Sequence, residues 1–131
     1  PIYIAPHKNE DSKYWWEGID NHELRIQACE KCGKRWFPPV QCCPYCSSKN
    51  WKWVKSSGEG HVYSWVVVYR AFHPAFKDDL PYTILTVKLV EGPRVLGRFI
   101  SEDNEEIYAD MPVKATFYKQ NGYTLLGFTR K

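Results

Sequence analysis

Two cysteine pairs constrain this chain more than any other feature. Cys29-Glu30-Lys31-Cys32 and Cys43-Pro44-Tyr45-Cys46 are separated by ten residues. Each CxxC turn offers two thiolates, and four thiolates at this spacing close a tetrahedral shell around one Zn²⁺ with Zn–S near ~2.3 Å. Gly33 follows the first pair and permits the left-handed backbone of a metal knuckle, and Pro44 pre-sets the second turn. Four protein thiolates leave no position for water or substrate, so the expected metal is one structural zinc. A disulfide or redox role is disfavoured, because no βαβ pattern surrounds the pairs. Pro1-Ile2-Tyr3-Ile4 has neither a basic start nor a long apolar stretch, so no secretory leader and a cytoplasmic location are expected. Cys42 is a fifth cysteine. It can compete with Cys43 through a looser CxxxC spacing or serve as a thiol nucleophile, although no partner base is apparent.

The cysteine module lies in the basic part of the chain. Residues 25–55 carry seven Lys/Arg against Glu30 alone, whereas residues 1–24 are net acidic and residues 56–131 sum to zero. A basic segment suits an anionic partner, either nucleic acid or a phosphorylated cofactor. Around the module the pattern is mainly β. Asp11-Ser12 offers a helix N-cap, and Tyr14, Trp15, Trp16 and Ile19 follow at helical spacing, with Gly18 as a weak point. Leu24 to Ala28 and Trp51 to Lys55 alternate as strands entering and leaving the module. Ser56-Ser57-Gly58-Glu59-Gly60 reads as a linker. Residues 61–70, 82–90, 94–100, 112–118 and 123–128 then predict five strands, with a hairpin turn at Gln120-Asn121-Gly122 and an acidic loop from Ser101 to Asp110. Five strands in about 70 residues suit a small closed barrel, most simply an OB-fold. The expected division is an N-terminal helical segment (1–24), a zinc ribbon (25–57) and a five-stranded OB barrel (58–131). No apolar run approaches the roughly 18 residues of a membrane span.

An ordered set of motifs makes a more specific pattern than the cysteines alone. It comprises Tyr14-Trp15-Trp16, Leu24-Arg25-Ile26-Gln27-Ala28-Cys29, Trp36-Phe37-Pro38-Pro39 and Cys43-Pro44-Tyr45-Cys46. It continues with Gly58-Glu59-Gly60-His61-Val62-Tyr63-Ser64, Pro81-Tyr82, Glu91-Gly92-Pro93-Arg94 and Met111-Pro112-Val113. In these the chain resembles the zinc-ribbon/OB-fold family of acyl-CoA-associated proteins, first catalogued as a domain of unknown function with a rubredoxin-like ribbon. The resemblance covers nearly the whole chain and implies a helix, a Cys₄ ribbon and a C-terminal OB barrel. It also implies a non-catalytic subunit that partners thiolase-like enzymes, or related lyases, aldolases and hydratases acting on acyl-CoA, and helps hold the CoA ester. Thiolysis of benzoylsuccinyl-CoA in anaerobic aromatic degradation is one reaction served by such a subunit. Cys42 departs from the pattern, where an apolar or polar residue is expected before CPxC.

Several other residues are candidates for contact. Lys31, Lys34 and Arg35 can meet CoA phosphates, or they form a solvated basic face. Trp36, Trp51 and Trp53 can stack on adenine or on a partner, but a ribbon this small needs large aromatic side chains to cover it. Tyr14, Trp15 and Trp16 form either a docking helix or a helix folded back on its own barrel. Phe72, His73 and Phe76 put exposed apolar surface in a loop and are candidate partner or ligand contacts. Single-stranded nucleic acid is the competing ligand class, which the neutral barrel segment disfavours. No catalytic triad, paired acid/base carboxylates, P-loop or dinucleotide fingerprint occurs.

Overall fold

A computed structural model describes residues 9–70, 80–101, 106–120 and 122–131. The loop candidates Phe72, His73 and Phe76 lie outside these residues, as does Asn121 of the expected hairpin turn. Among the described residues the architecture is one helix, α1 (Lys13–Asp20), followed by eight strands. β1 (Arg25–Cys29), β2 (Arg35–Trp36) and β3 (Trp51–Lys55) form an antiparallel sheet in the order β2-β1-β3. β4 (Glu59–Val68), β5 (Tyr82–Leu89), β6 (Arg94–Phe99), β7 (Pro112–Gln120) and β8 (Tyr123–Arg130) close a barrel in the order β4-β5-β6-β8-β7. The β6–β8 pair is parallel and the others are antiparallel. Five strands with this closure define an OB barrel. Among the described residues no helix is long and apolar enough to cross a membrane.

Alternation explains the barrel. Along β5, Leu85, Val87 and Leu89 are buried, and along β6 Val95 is buried between exposed Arg94 and Leu96. These side chains meet Val62, Met111, Val113, Leu126 and Phe128 in one core. The same core takes in Trp15 and Ile19 from α1, and Leu24 and Ile26 beside and within β1. The ribbon sheet and the barrel are thus packed on shared apolar residues. Trp15 is 8% exposed and faces inward, while Tyr14 is 43% exposed and carries the Arg25 guanidinium 4.1 Å from its ring centre. Gly18, weak in helix propensity, allows that approach: a Cβ there would lie 2.7 Å from the Arg25 side chain and 2.9 Å from the Glu23 carbonyl. Ser12 occupies the N-cap position, but its hydroxyl accepts the Asn9 N–H at 3.1 Å and caps no helix amide.

The Ser56–Gly60 stretch, read from sequence as a linker, is a built corner. Ser56 is 4% exposed, and its N–H donates to the Leu24 carbonyl at 2.7 Å. Its hydroxyl donates to Glu91 Oε1 and the Ser57 N–H donates to Glu91 Oε2, both at 2.8 Å. One carboxylate from the β5–β6 turn therefore ties the ribbon exit to the barrel. Burial raises the Glu91 pKa, but the bonds from Ser57 N–H and Ser56 Oγ–H outweigh it and hold the carboxyl below its usual 4.5. A depressed folded-state pKa stabilises the fold above the unfolded value, and that stability fades as pH falls through the folded value. Urea midpoints measured between about pH 6 and pH 3 are expected to fall more steeply for the natural chain than for Glu91→Gln. Parallel curves would deny Glu91 this role.

Candidate metal centre and docking surface

The four CxxC sulfurs converge. Cys29 closes β1, Cys32 follows on the first knuckle, and Cys43 and Cys46 come from the second. Their Sγ atoms all lie within 4.8 Å of one another, with Cys29–Cys46 at 3.5 Å and Cys32–Cys43 at 3.6 Å. A tetrahedral ZnS₄ unit with ~2.3 Å bonds has S–S edges of about 3.8 Å, so the cluster fits the ion. Gly33 adopts φ 78°, the left-handed conformation the knuckle needs. Cys42 is exposed and stands outside the convergent set.

The backbone prepares the thiolates. The N–H groups of Cys32 and Lys31 both donate to Cys29 Sγ at 3.3 Å. The Cys32 bond is the largest influence on that thiol. Although burial opposes it, the Lys31 bond adds to it and the pKa falls to about 6. At Cys43, burial raises the pKa but the N–H groups of Cys46 and Tyr45 prevail and lower it. Cys46 behaves in the opposite way. Its bond from Ser48 N–H lowers the pKa, yet burial and the sulfurs of Cys29, Cys43 and Cys32 push it up to about 11. Crowded thiolates repel one another, and a divalent cation removes that penalty. The four cysteines are placed to hold one structural zinc.

A second small core surrounds the metal. Trp36 is 3% exposed and packs with Cys29 and Cys43, and Trp51 and Cys46 pack against them. Trp51 Nε1–H donates to the Gln41 carbonyl at 2.8 Å. Gln27 carries a role that its sequence position did not suggest. It is 2% exposed, its amide N–H donates to the Val40 carbonyl at 2.7 Å, and its carbonyl accepts the Val40 N–H at 2.9 Å. This two-way clamp pins the loop between the knuckles to β1. Gln27→Ala leaves both Val40 groups without that partner, and a loss of about 2–3 kcal/mol in chemical unfolding is expected. An unchanged midpoint would show that the clamp is dispensable. Lys31, Lys34 and Arg35 are exposed on the ribbon, and Trp16 is half-buried against the main core.

The barrel bears a surface that sequence reasoning missed. β4 pairs with β7 only through Glu59, Gly60 and His61, whereas its pairing with β5 continues to Val68. Past Val62 the outer half of β4 thus has one free edge among the described residues. A register shift between Val62 and Ser64 marks the departure. Residues 63–67 are all exposed, including Trp65 (39%), Val66 (60%) and Val67 (41%), and Tyr69 beyond is 76% exposed. Apolar side chains on both faces of a half-paired strand make a two-stranded arm suited to contact with another chain.

Fold and centre together define a zinc-ribbon protein with an OB barrel packed on the ribbon. Residues 16–52 match the family described as "ChsH2, rubredoxin-like zinc ribbon domain" and residues 53–118 match "ChsH2, C-terminal OB-fold domain". The chain belongs to this ChsH2 (DUF35) family. The chain is 37% identical over 108 residues to a "Probable enoyl-CoA hydratase alpha subunit" of Thermomonospora curvata, a match spanning 82% of this chain and 33% of the relative. The chain thus spans about a third of that subunit's length. A "DUF35 domain-containing scaffold protein" of Pyrococcus furiosus is 33% identical over 122 residues, covering 89% of this chain and 88% of the relative. Among solved structures, a chain described as "Ltp2-ChsH2(DUF35) aldolase" superposes with a TM-score of 0.84 at 34% identity, covering 96% of this chain and 98% of that chain.

Proposed function

We propose that this chain is a non-catalytic, zinc-containing subunit of a hetero-oligomeric complex acting on acyl-CoA thioesters. Its partner in this reading is a thiolase-type subunit. The observation that carries the reading is the half-paired arm of β4. Its free edge and its exposed Trp65, Val66, Val67 and Tyr69 are costly for a lone molecule and useful for one with a partner. The metal does not offer chemistry of its own, because its four ligands are all protein thiolates. The relatives' names agree with this role: one is a scaffold protein, one a hydratase subunit, and one is named with an aldolase. A hydratase partner is the second reading, favoured by the likeness to the alpha subunit.

The test is affinity purification of the tagged chain from cells that express it naturally, with assay of the eluate. The expected result is stoichiometric recovery of an acyl-CoA enzyme and CoA-dependent cleavage of a 3-ketoacyl-CoA. Hydration of an enoyl-CoA without cleavage would select the second reading. Recovery of the chain alone, or only with single-stranded nucleic acid, would contradict both.

A further inference from the structure

The four sulfurs of the metal centre are not equally protected. Cys29 and Cys43 are 4% and 1% exposed, and Cys46 is half-buried, whereas Cys32 is open to solvent. The tip of the first knuckle is bare around it. A Cβ at Gly33 would meet nothing within 4 Å, and Lys31, Lys34 and Arg35 are all exposed. Cys29 Sγ is besides engaged by the N–H groups of Lys31 and Cys32 at 3.3 Å. Held on a divalent cation, all four sulfurs are thiolates, the form that reacts with oxidants. Among thiolates, those that solvent reaches react first, above all where a second thiolate can resolve the product.

That second sulfur is in place. Cys32 Sγ lies 3.6 Å from Cys43 Sγ, and Cys29 Sγ lies 3.5 Å from Cys46 Sγ. A disulfide needs ~2.05 Å, so either pair has to close by only about 1.5 Å. Both pairs join one knuckle to the other rather than the two ends of a CxxC turn. Cys42 is also exposed, but it stands outside the set whose sulfurs lie within 4.8 Å of one another.

We propose that Cys32 is an oxidation site for hydroperoxides, and that Cys43 resolves it with loss of the zinc. The Cys32 sulfur attacks one peroxide oxygen. The O–O bond breaks, an S–O bond forms and hydroxide leaves. The Cys43 sulfur then attacks the Cys32 sulfur. An S–S bond forms, the S–O bond breaks and a second hydroxide leaves. The two cysteines have given up two electrons, and the peroxide has taken them. Cys29 and Cys46 are then the only ligands left, too few to retain the ion. A second equivalent of peroxide closes Cys29 to Cys46 in the same way. The product is a metal-free ribbon whose knuckles stay cross-linked, and a dithiol reductant with added zinc reverses it. This chemistry needs no partner enzyme and stands apart from the acyl-CoA reading.

Titration of the zinc-loaded chain with hydrogen peroxide tests it, with zinc followed by a chromogenic chelator and disulfides mapped in unreduced digests by mass spectrometry. The first product is expected to be Cys32–Cys43, with one zinc released for each peroxide consumed at the start. Dithiothreitol and added zinc should restore the loaded chain. Cys32→His, which can keep a four-ligand site, should release zinc at least about tenfold more slowly. Cys42→Ser should release it as the natural chain does. A first disulfide within either CxxC pair or through Cys42 would overturn the proposal. So would protection in Cys42→Ser, or a zinc-loaded Cys32→His as sensitive as the natural chain. Should Cys32→His fail to hold zinc, the disulfide map of the natural chain decides alone.

Discussion

Replacing Cys29 by Ser is expected to abolish zinc retention and the cooperative unfolding transition of the whole chain. Cys29 is 4% exposed, ends β1 and accepts two backbone N–H groups, so its loss removes a ligand and unpairs two donors. Structural zinc in small ribbons contributes on the order of 10–16 kcal/mol, as much as the entire stability of a typical domain. The damage should not stop at the ribbon. Leu24 and Ile26 belong to the barrel core, so a β1 released from its metal withdraws apolar side chains from between α1 and the barrel. Bound zinc measured by atomic absorption should fall from one ion per chain to none. Urea unfolding should lose its sigmoid. Cys42→Ser is the matched control, because Cys42 is exposed and outside the cluster. It should keep one zinc and change stability by less than about 0.5 kcal/mol. A Cys29 variant with a native unfolding curve, or a Cys42 variant without zinc, would contradict the assignment of ligands.

The second large effect is expected on partner capture with the fold intact. Val66→Asp places a charge on the exposed, half-paired stretch of β4, where the natural residue is 60% exposed and lies outside the buried core. Little intramolecular contact is lost, so the melting temperature should change by no more than a few degrees. In the complex the same charge would be buried against the partner without a counter-ion, a cost of at least about 2 kcal/mol, or roughly 30-fold in affinity. Trp65→Asp should act in the same direction. If either variant captures the partner at natural affinity, the arm is not the interface. If melting collapses with it, the strand serves the barrel instead.

Much of this fold is legible in the sequence, and the exceptions have a common physical cause. The zinc centre is local: two CxxC turns, Gly33 and Pro44 carry their own geometry. The barrel strands are local too, since Leu85, Val87 and Leu89 announce a buried face by alternation alone. What sequence reasoning missed depends on distant partners. Ser56 to Gly60 has the composition of a flexible linker, and it is fixed by Glu91, 35 residues away. Gln27 reads as the polar member of an alternating strand, and it is buried because Val40 offers both a donor and an acceptor. β2 has two residues, too few for any period. Trp15 and Ile19 turn inward onto a core whose other members, Leu24, Ile26, Val62 and Phe128, come from distant parts of the chain. Residues 61–70 read as a strand, but alternation does not tell that, among the described residues, β7 pairs with β4 only at Glu59, Gly60 and His61, or that Trp65, Val66 and Val67 beyond are exposed.

Amide hydrogen exchange across β4 tests the central claim most directly. In the free chain, the amides of residues 63–69 that face the unpaired edge should exchange fast, while those of Val62, Val87 and Val113 should be slow. Adding the co-purified acyl-CoA enzyme should slow the edge amides by at least about tenfold and leave the already protected core unchanged. Protection confined to the ribbon or to α1, with residues 63–69 still exchanging as in the free chain, would contradict the account.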